Sequence, residues 1–386
     1  MRDMHELNDG HHCRIHSNSM KDLRTGFTTG LCAAAASKAA AMMLLSSNPV
    51  EQIEITANNG ATKIFEVTDI TFKNGLVKCA IVKDSGDDPD ITNGMKIFAA
   101  ISKTDVKGIE IEGGEGIGRV TMPGLKVPVG KAAINPVPME MIKSAIEEIC
   151  ASFSYTEGIK AEISIPGGEE IAKKTMNSRL GIIGGLSVLG TTGIIEPMSN
   201  KAIVDTIKAE IDVQTAYGKR TLIITPGNYG RDFAEKELGL NIDAAVKCSN
   251  FIGEALDYVC IKGIKNIVLI GHAGKLVKLA GGIMNTHSAI ADCRMEIIAA
   301  HSAMAGAGTE TIRQIMTCVT TSAAIEILNQ IGINDSVWGS IGQKIGFHIL
   351  ERTRGHVFVE YIVFTQEHGV LIRGETGGDE IYGALV

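Results

Sequence analysis

The chain has 386 residues, 45% hydrophobic and 21% charged, which is long enough for two domains, each with its own core, and is the mixture of a soluble globular protein. A formal charge of −7 and an aromatic content of 4% exclude a global basic field for a phosphate backbone and a surface of stacked bases, so no nucleic-acid partner is expected. A local basic pocket for an acidic small molecule is compatible with that total.

In chain order, residues 1–19 are polar and crowd His5, His11, His12, Cys13 and His16 together without the spacing of a preformed metal site; they read as a mobile extension. Next comes Leu23-Arg-Thr-Gly-Phe-Thr-Thr-Gly30, then an alanine-rich helix over residues 33–43 that Thr28 or Thr29 would cap. The apolar stretch 32–45, broken by Ser37 and Lys38, reads as too short for a membrane span, and no hydrophobic signal segment opens the chain, so no membrane partner and a cytoplasmic location are expected. Alternating segments at 52–57, 62–68, 76–82, 96–102 and 108–111, parted in places by Asn-Gly turns, predict an antiparallel or mixed sheet, closed by a helix over 138–152.

From residue 160 the rhythm changes. Apolar runs at 161–165, 180–183, 221–225, 245–248 and 267–270 alternate with glycine-rich turns and helical patterns around 205–216, 253–261 and 276–280, as in a parallel sheet. Residues 309–331 read as helical, 357–364 as a strand, and 370–372 as its partner. The reading is therefore an N-terminal α+β domain over 20–159 and a Rossmann-like α/β domain with a mostly parallel sheet over 160–386, ending in a C-terminal helix and strands. The eight cysteines show no CxxC pair and no zinc spacing; they read as small core hydrophobes in a reducing compartment.

Five glycines and two threonines fall within Gly181-Ile-Ile-Gly-Gly-Leu-Ser-Val-Leu-Gly-Thr-Thr-Gly193, which closes on Glu196-Pro197. Such a segment is either a buried strand with tight turns or a strand delivering a Gly/Ser/Thr-lined loop to a cofactor or polar substrate. Lys83-Asp-Ser-Gly-Asp-Asp-Pro-Asp-Ile-Thr92 holds four carboxylates in seven residues, a repulsive cluster unless cations or donors stand beside it, and without the ligand spacing of a calcium loop. Gly113-Gly-Glu-Gly-Ile-Gly-Arg119 lacks the G-x-G-x-x-G spacing, and reads as a turned loop with Arg119 placed to grip a carboxylate. Thr225-Pro-Gly-Asn-Tyr-Gly230 and Gly271-His-Ala-Gly-Lys275 both follow apolar strands, where cofactors are contacted; the second is no P-loop. Asn285-Thr-His-Ser-Ala-Ile-Ala-Asp292 groups polar residues suited to proton handling or to plain hydrogen-bonded structure.

Taken in order, residues 23–34, 83–92, 113–121, 133–138, 181–197, 225–230 and 271–282 resemble the CbiD family, the cobalt-precorrin-5B C1-methyltransferases of the anaerobic, early-cobalt route to cobalamin. The resemblance runs from about residue 20 to at least 300. It implies transfer of a methyl group from S-adenosylmethionine to C1 of a ring-contracted cobalt corrinoid, and a two-domain fold. Cobalt then belongs to the small-molecule substrate, and no protein-held metal is expected. Self-association is left open.

Carbon methylation needs the ring carbon and the sulfonium methyl held in line, and a group that manages the proton. The carboxylates of the macrocycle call for local cations: Arg24, Arg119, Lys126 and Lys131 from the first domain, Arg179 and Lys275 from the second. The expected donor site is Gly184, Gly185, Thr191, Thr192, Asn228 and Gly271, with Glu196 accepting from ribose hydroxyls. The expected proton acceptors are His287 and Asp292, then Asp87 and Asp88. Two other readings compete: a non-catalytic tetrapyrrole carrier, and a nicotinamide oxidoreductase, against which the missing G-x-G-x-x-G counts.

Overall fold

The computed structural model describes residues 23–242 and 245–377. After β1 (Gly26–Phe27), helix α1 (Thr29–Ser46) begins where the Thr28 hydroxyl accepts the Leu31 N–H at 3.2 Å. Strands β2 (Gln52–Thr56) and β3 (Thr62–Glu66) form a hairpin. β4 (Thr68–Lys73), β5 (Leu76–Val82), β6 (Lys96–Thr104) and β7 (Ile109–Gly113) follow, then β8 (Arg119–Val120), α2 (Pro136–Ser152) and β9 (Gly158–Ser164). The five-stranded sheet runs β4-β5-β6-β9-β7, antiparallel except where β7 meets β9. Its inward side chains, among them Ile97, Ala99, Ile101, Ile159 and Ile163, are fully buried against the alanine face of α1 and against α2. By length and composition α1, which extends beyond 32–45 at both ends, is long and apolar enough to cross a membrane. It is instead 72% buried within the protein, because small side chains let it lie close to both the sheet and α2.

The second half opens with α3 (Gly168–Ala172), β10 (Ile182–Ile183), β11 (Ile194–Ile195) and α4 (Asn200–Ala216). Then come β12 (Thr221–Thr225), α5 (Asn228–Lys236), β13 (Val246–Lys247), α6 (Ile252–Lys262), β14 (Asn266–His272) and α7 (Ala273–Leu276). Helices α8 (Arg294–Met304), α9 (Thr309–Thr317), α10 (Thr321–Gln330) and α11 (Asn334–Thr353) precede β15 (Phe358–Thr365) and β16 (Gly369–Glu375). This sheet runs β13-β12-β14-β15-β16, with its first four strands parallel and β16 antiparallel. Leu222, Ile224, Ile267 and Leu269 pack on the side of α6 and α11, while Ile223, Val268 and Ile270 pack with Ala234 of α5. Burial on both faces is why these strands read as continuous apolar runs.

The run at 161–165, expected to open the parallel sheet, lies in β9, between β6 and β7 of the first sheet. The run at 180–183 likewise pairs through β10 with β8, and β11 pairs with β1. The helix expected over 309–331 is two helices, parted where the Thr320 hydroxyl caps α10 by accepting the Ala323 N–H at 3.2 Å. The His/Cys-rich stretch expected to be a mobile extension lies outside the described residues.

Candidate functional site

The glycine-rich stretch 181–193 is built for backbone against backbone. A Cβ on Gly185 would stand 2.4 Å from the Gly116 carbonyl oxygen, and one on Gly116, at φ 72°, would stand 1.9 Å from that of Ile165. The Leu186 N–H donates to the Gly116 carbonyl and the Gly118 N–H to that of Leu186, both at 2.8 Å. Gly185 is therefore a packing residue rather than a donor-binding one. Gly184 is exposed and has nothing near its missing Cβ. The Thr192 hydroxyl turns onto the Ile194 backbone, whereas Thr191 and Glu196 are exposed. All five sit on or beside segments paired with β8 and β1, whereas Asn228 and Gly271 belong to the parallel sheet and its helices.

Each carboxylate of the acidic loop has a partner: two meet cations and two meet backbone amides. Asp84 pairs with the Arg24 guanidinium, Asp90 with buried Lys83, and the Asp87 carboxylate accepts the Arg24 backbone N–H at 2.7 Å. Asp88 accepts the Met198 N–H at 3.0 Å. Asp87 and Asp88, expected as proton acceptors, thus hold chain segments together, and Arg24 already has its counter-charge. Arg119 bridges Glu112 and the Gly130 carbonyl. Lys126 and Lys131 are exposed, with no ion pair among the described residues.

His287 and Asp292 do not form a base pair for proton removal. His287 is exposed on a turn, where its Nδ1 accepts the Ala289 N–H at 3.1 Å. The Asp292 carboxylate binds Arg294, with Lys278 Nζ at 3.8 Å; the Arg294 hydrogen bonds above all hold it below the usual carboxylate range, where it is a poor acceptor.

The parallel sheet supplies a better place. Chain order along β13-β12-β14-β15 reverses between β12 and β14, and in open α/β sheets ligands bind outside the carboxyl ends of strands at such a switch point. Here Pro226 and Gly227 lead from β12 into α5. Gly227 has no side-chain cap to offer, and nothing lies within 4 Å of where its Cβ would be, so the first turn of α5 keeps open amides. Lys247 Nζ donates to the Asn228 side-chain oxygen at 2.7 Å, and Lys275 Nζ to the Pro226 carbonyl at 3.0 Å. Burial lowers the Lys275 ammonium below its ordinary pKa.

Behind this rim lies Glu210, 5% exposed, which accepts the Lys247 N–H at 3.0 Å and faces Arg179 at 3.6 Å. Burial raises its carboxyl above the ordinary range against the pull of Arg179. Arg179 also donates to the Ala245 carbonyl at 2.6 Å, so this expected substrate cation is an internal brace. Gly271 is buried within β14, where a Cβ would meet Leu276 at 2.8 Å; it serves packing.

Of the expected residues, Asn228 and Lys275 are thus brought together. Lys247, Glu210 and His272 were missed: His272 lies within the strand-end motif 271–275 and Lys247 in the apolar run 245–248, while Glu210, in the middle of α4, carried no local signal. His272 caps α7, its Nδ1 accepting the Gly274 N–H at 3.1 Å, and burial lowers its pKa. No group of three metal-ligating side chains occurs among the described residues.

The CbiD family profile matches residues 16–197, and that of the CbiD C-terminal domain matches residues 285–375. A protein named cobalt-precorrin-5B C(1)-methyltransferase from Ruminiclostridium cellulolyticum is 51% identical over 89% of this chain and 90% of its own. Proteins of the same name from Alkaliphilus metalliredigens and Methanocaldococcus jannaschii are 44% and 42% identical, covering 93% and 88% of this chain and 94% and 93% of theirs. A solved structure of a cobalamin biosynthesis protein (cbiD) from Archaeoglobus fulgidus, 29% identical, aligns with a TM-score of 0.37 over 67% of this chain and 80% of that one. With both profiles matched and identity sustained along most of its length, the chain belongs to the CbiD family.

Proposed function

We propose that the chain methylates C1 of cobalt-precorrin-5B in cobalamin biosynthesis, with S-adenosylmethionine as donor. The observation that carries this reading is 51% identity, over 89% of the chain, to a protein of that name. The enzyme is a C-methyltransferase of the cytoplasm, its substrate a corrinoid that brings its own cobalt.

The crevice between β12 and β14 fits such a donor. Open amides at the start of α5 and the Lys275 ammonium suit a carboxylate, Gly227 admits it without a Cβ in the way, and Asn228 offers amide hydrogen bonds. When bound, S-adenosylmethionine supplies an electrophilic methyl group, whose bond to sulfur breaks as the bond to the ring carbon forms. The residues of the chain hold both partners in register, the main source of rate in a two-substrate transfer. Lys247 fixes Asn228, and Glu210 fixes Lys247, so the rim is braced from a buried layer. Lys126 and Lys131, both exposed, offer cations to the acetate and propionate groups of the macrocycle. Two units serve this, an α+β unit and a Rossmann-like one. The strand pairings of β9, β10 and β11 argue for a divide near the start of α4 rather than at residue 160.

Anaerobic incubation with cobalt-precorrin-5B and methyl-labelled S-adenosylmethionine, with the product mapped by NMR, tests the assignment. Label at C1 is expected. Tight corrinoid binding without label would make the chain a carrier instead.

A further inference from the structure

The β13 edge of the parallel sheet gathers more cations than carboxylates. Glu210 of α4 stands there, and Arg179, Arg231 and Lys247 all act on its charge. Arg179 is engaged, facing Glu210 at 3.6 Å and donating to the Ala245 carbonyl at 2.6 Å. Lys247 directs its Nζ to Asn228 and its backbone N–H to Glu210. Arg231 has neither an ion pair nor a side-chain hydrogen bond among the described residues, although it is half-buried and its Nε is enclosed. A buried guanidinium nitrogen without an acceptor is unfavourable, because it has given up water without a replacement. Position adds to this: Arg231 closes the first turn of α5, where the helix dipole disfavours a cation. A second group nearby is also unmatched. Thr225, fully buried at the end of β12, has no partner for its hydroxyl, and its Cβ lies 3.4 Å from where a Cβ on Gly230 would stand. This sets Thr225 against the turn that carries Arg231. An anion here would satisfy the guanidinium and answer the excess of positive charge, leaving Glu210 to Arg179 and Lys247.

We propose that Arg231 is a ligand-binding residue whose guanidinium takes a carboxylate of the small molecule bound beside β13 and α5, with Lys247 adding charge. The planar fork of an arginine matches a carboxylate in two-pronged fashion, and no proton is transferred. The proposal rests on the methyl transfer proposed above only for the identity of the molecule, since the methyl donor and the corrinoid both bear carboxylates. The open amides of α5 play no part in it. Arg179, the substrate cation expected from the sequence, is engaged within the fold, and the role passes to Arg231.

Titration calorimetry with two variants tests it. S-Adenosylhomocysteine and a cobalt corrin with free carboxylates are the acid ligands; 5′-methylthioadenosine and the corrin methyl ester are their carboxylate-free controls. Arg231→Gln keeps a polar side chain but removes the charge, and should weaken at least one acid about tenfold to hundredfold. Arg231→Lys keeps the charge without the fork and should fall between. Neither variant should change binding of the controls. The acid that responds identifies the source of the carboxylate. In nitrogen-15 NMR the Nε–H signal of Arg231 should shift when that acid binds.

Stability separates binding from bracing. Without ligand, Arg231→Gln should unfold in urea at or above the wild-type midpoint, because it removes a cation that the fold does not neutralise. A lower midpoint would make Arg231 structural and overturn the proposal. So would wild-type affinity of Arg231→Gln for both acids, or equal weakening of an acid and its control. If the wild type binds neither acid, the function proposed above fails, and inorganic phosphate then tests Arg231 by itself. A phosphate-induced rise in midpoint that is larger in the wild type than in Arg231→Gln keeps the anion site; equal rises overturn it.

Discussion

Replacing Gly116 with alanine tests whether the glycines of residues 113–119 and 181–193 hold the fold together or hold a ligand. At φ 72° the new side chain sits in the left-handed region, which costs about 1–2 kcal/mol. Its Cβ would stand 1.9 Å from the Ile165 carbonyl oxygen, so the strand end at Ile165 must move away. That movement strains the Ile165 N–H to Glu115 and Leu186 N–H to Gly116 hydrogen bonds, both 2.8 Å long and worth about 1 kcal/mol each. The expected loss is about 3–4 kcal/mol. Gly184→Ala is the internal control: its φ is 81°, but no atom lies within 4 Å of the added Cβ, so it should lose only the backbone component, about 1–2 kcal/mol. Urea unfolding followed by circular dichroism gives both values from the midpoints at a common slope. If Gly116→Ala unfolds at the wild-type midpoint yet no longer binds S-adenosylhomocysteine, the packing argument is refuted and these glycines line a ligand site.

Lys275→Met should weaken S-adenosylhomocysteine about tenfold or more by calorimetry, while shifting the urea midpoint only slightly, because losing the hydrogen bond to Pro226 is offset by removing a charge that burial disfavours. Asp90 is depressed below the ordinary carboxylate pKa: burial opposes its charge, but Lys83 and Thr92 outweigh it. A depressed carboxyl contributes stability that is present above the unfolded pKa of about 3.9 and is lost as pH falls through the lower folded value. The stability gap between wild type and Asp90→Asn should therefore narrow on acidification below about pH 4, and a gap independent of pH would contradict the ion pair. Burial pushes the thiols of Cys32, Cys79 and Cys248 up to about 12, whereas Cys293 is exposed. Iodoacetamide under native conditions should mark Cys293 and spare the other three in peptide mass spectra, and early labelling of Cys248 would show the crevice wall to be open.

Local chemistry was legible in the chain itself. Thr28 before an alanine run marks a helix start because a hydroxyl satisfies a first-turn amide. Apolar runs at 221–225 and 267–270 mark strands buried on both faces, and the loops after them carry Asn228 and Lys275. The partners of a glycine were not legible, since a missing side chain looks the same whether a ligand or another backbone fills the space. That is why residues 181–193 read either as a buried strand with tight turns or as a ligand loop, while in the structure Gly185 and Gly116 pack backbone against backbone between β8, β10 and the end of β9.

The same holds for charge. Asp87, Asp88 and Asp292 read as proton acceptors, but Asp87 and Asp88 accept the backbone N–H groups of Arg24 and Met198, 63 and 110 residues away, and Asp292 pairs with Arg294 and Lys278. The sequence by itself determined the elements, the strand-end loops and, through resemblance, the family, because these depend on neighbouring residues and on ordered motifs. Tertiary structure alone decided which strand ends share a crevice. Strand order, and so the switch point between β12 and β14 and the place of His272, Lys247 and Glu210 around it, follows from long-range pairing that no local pattern encodes.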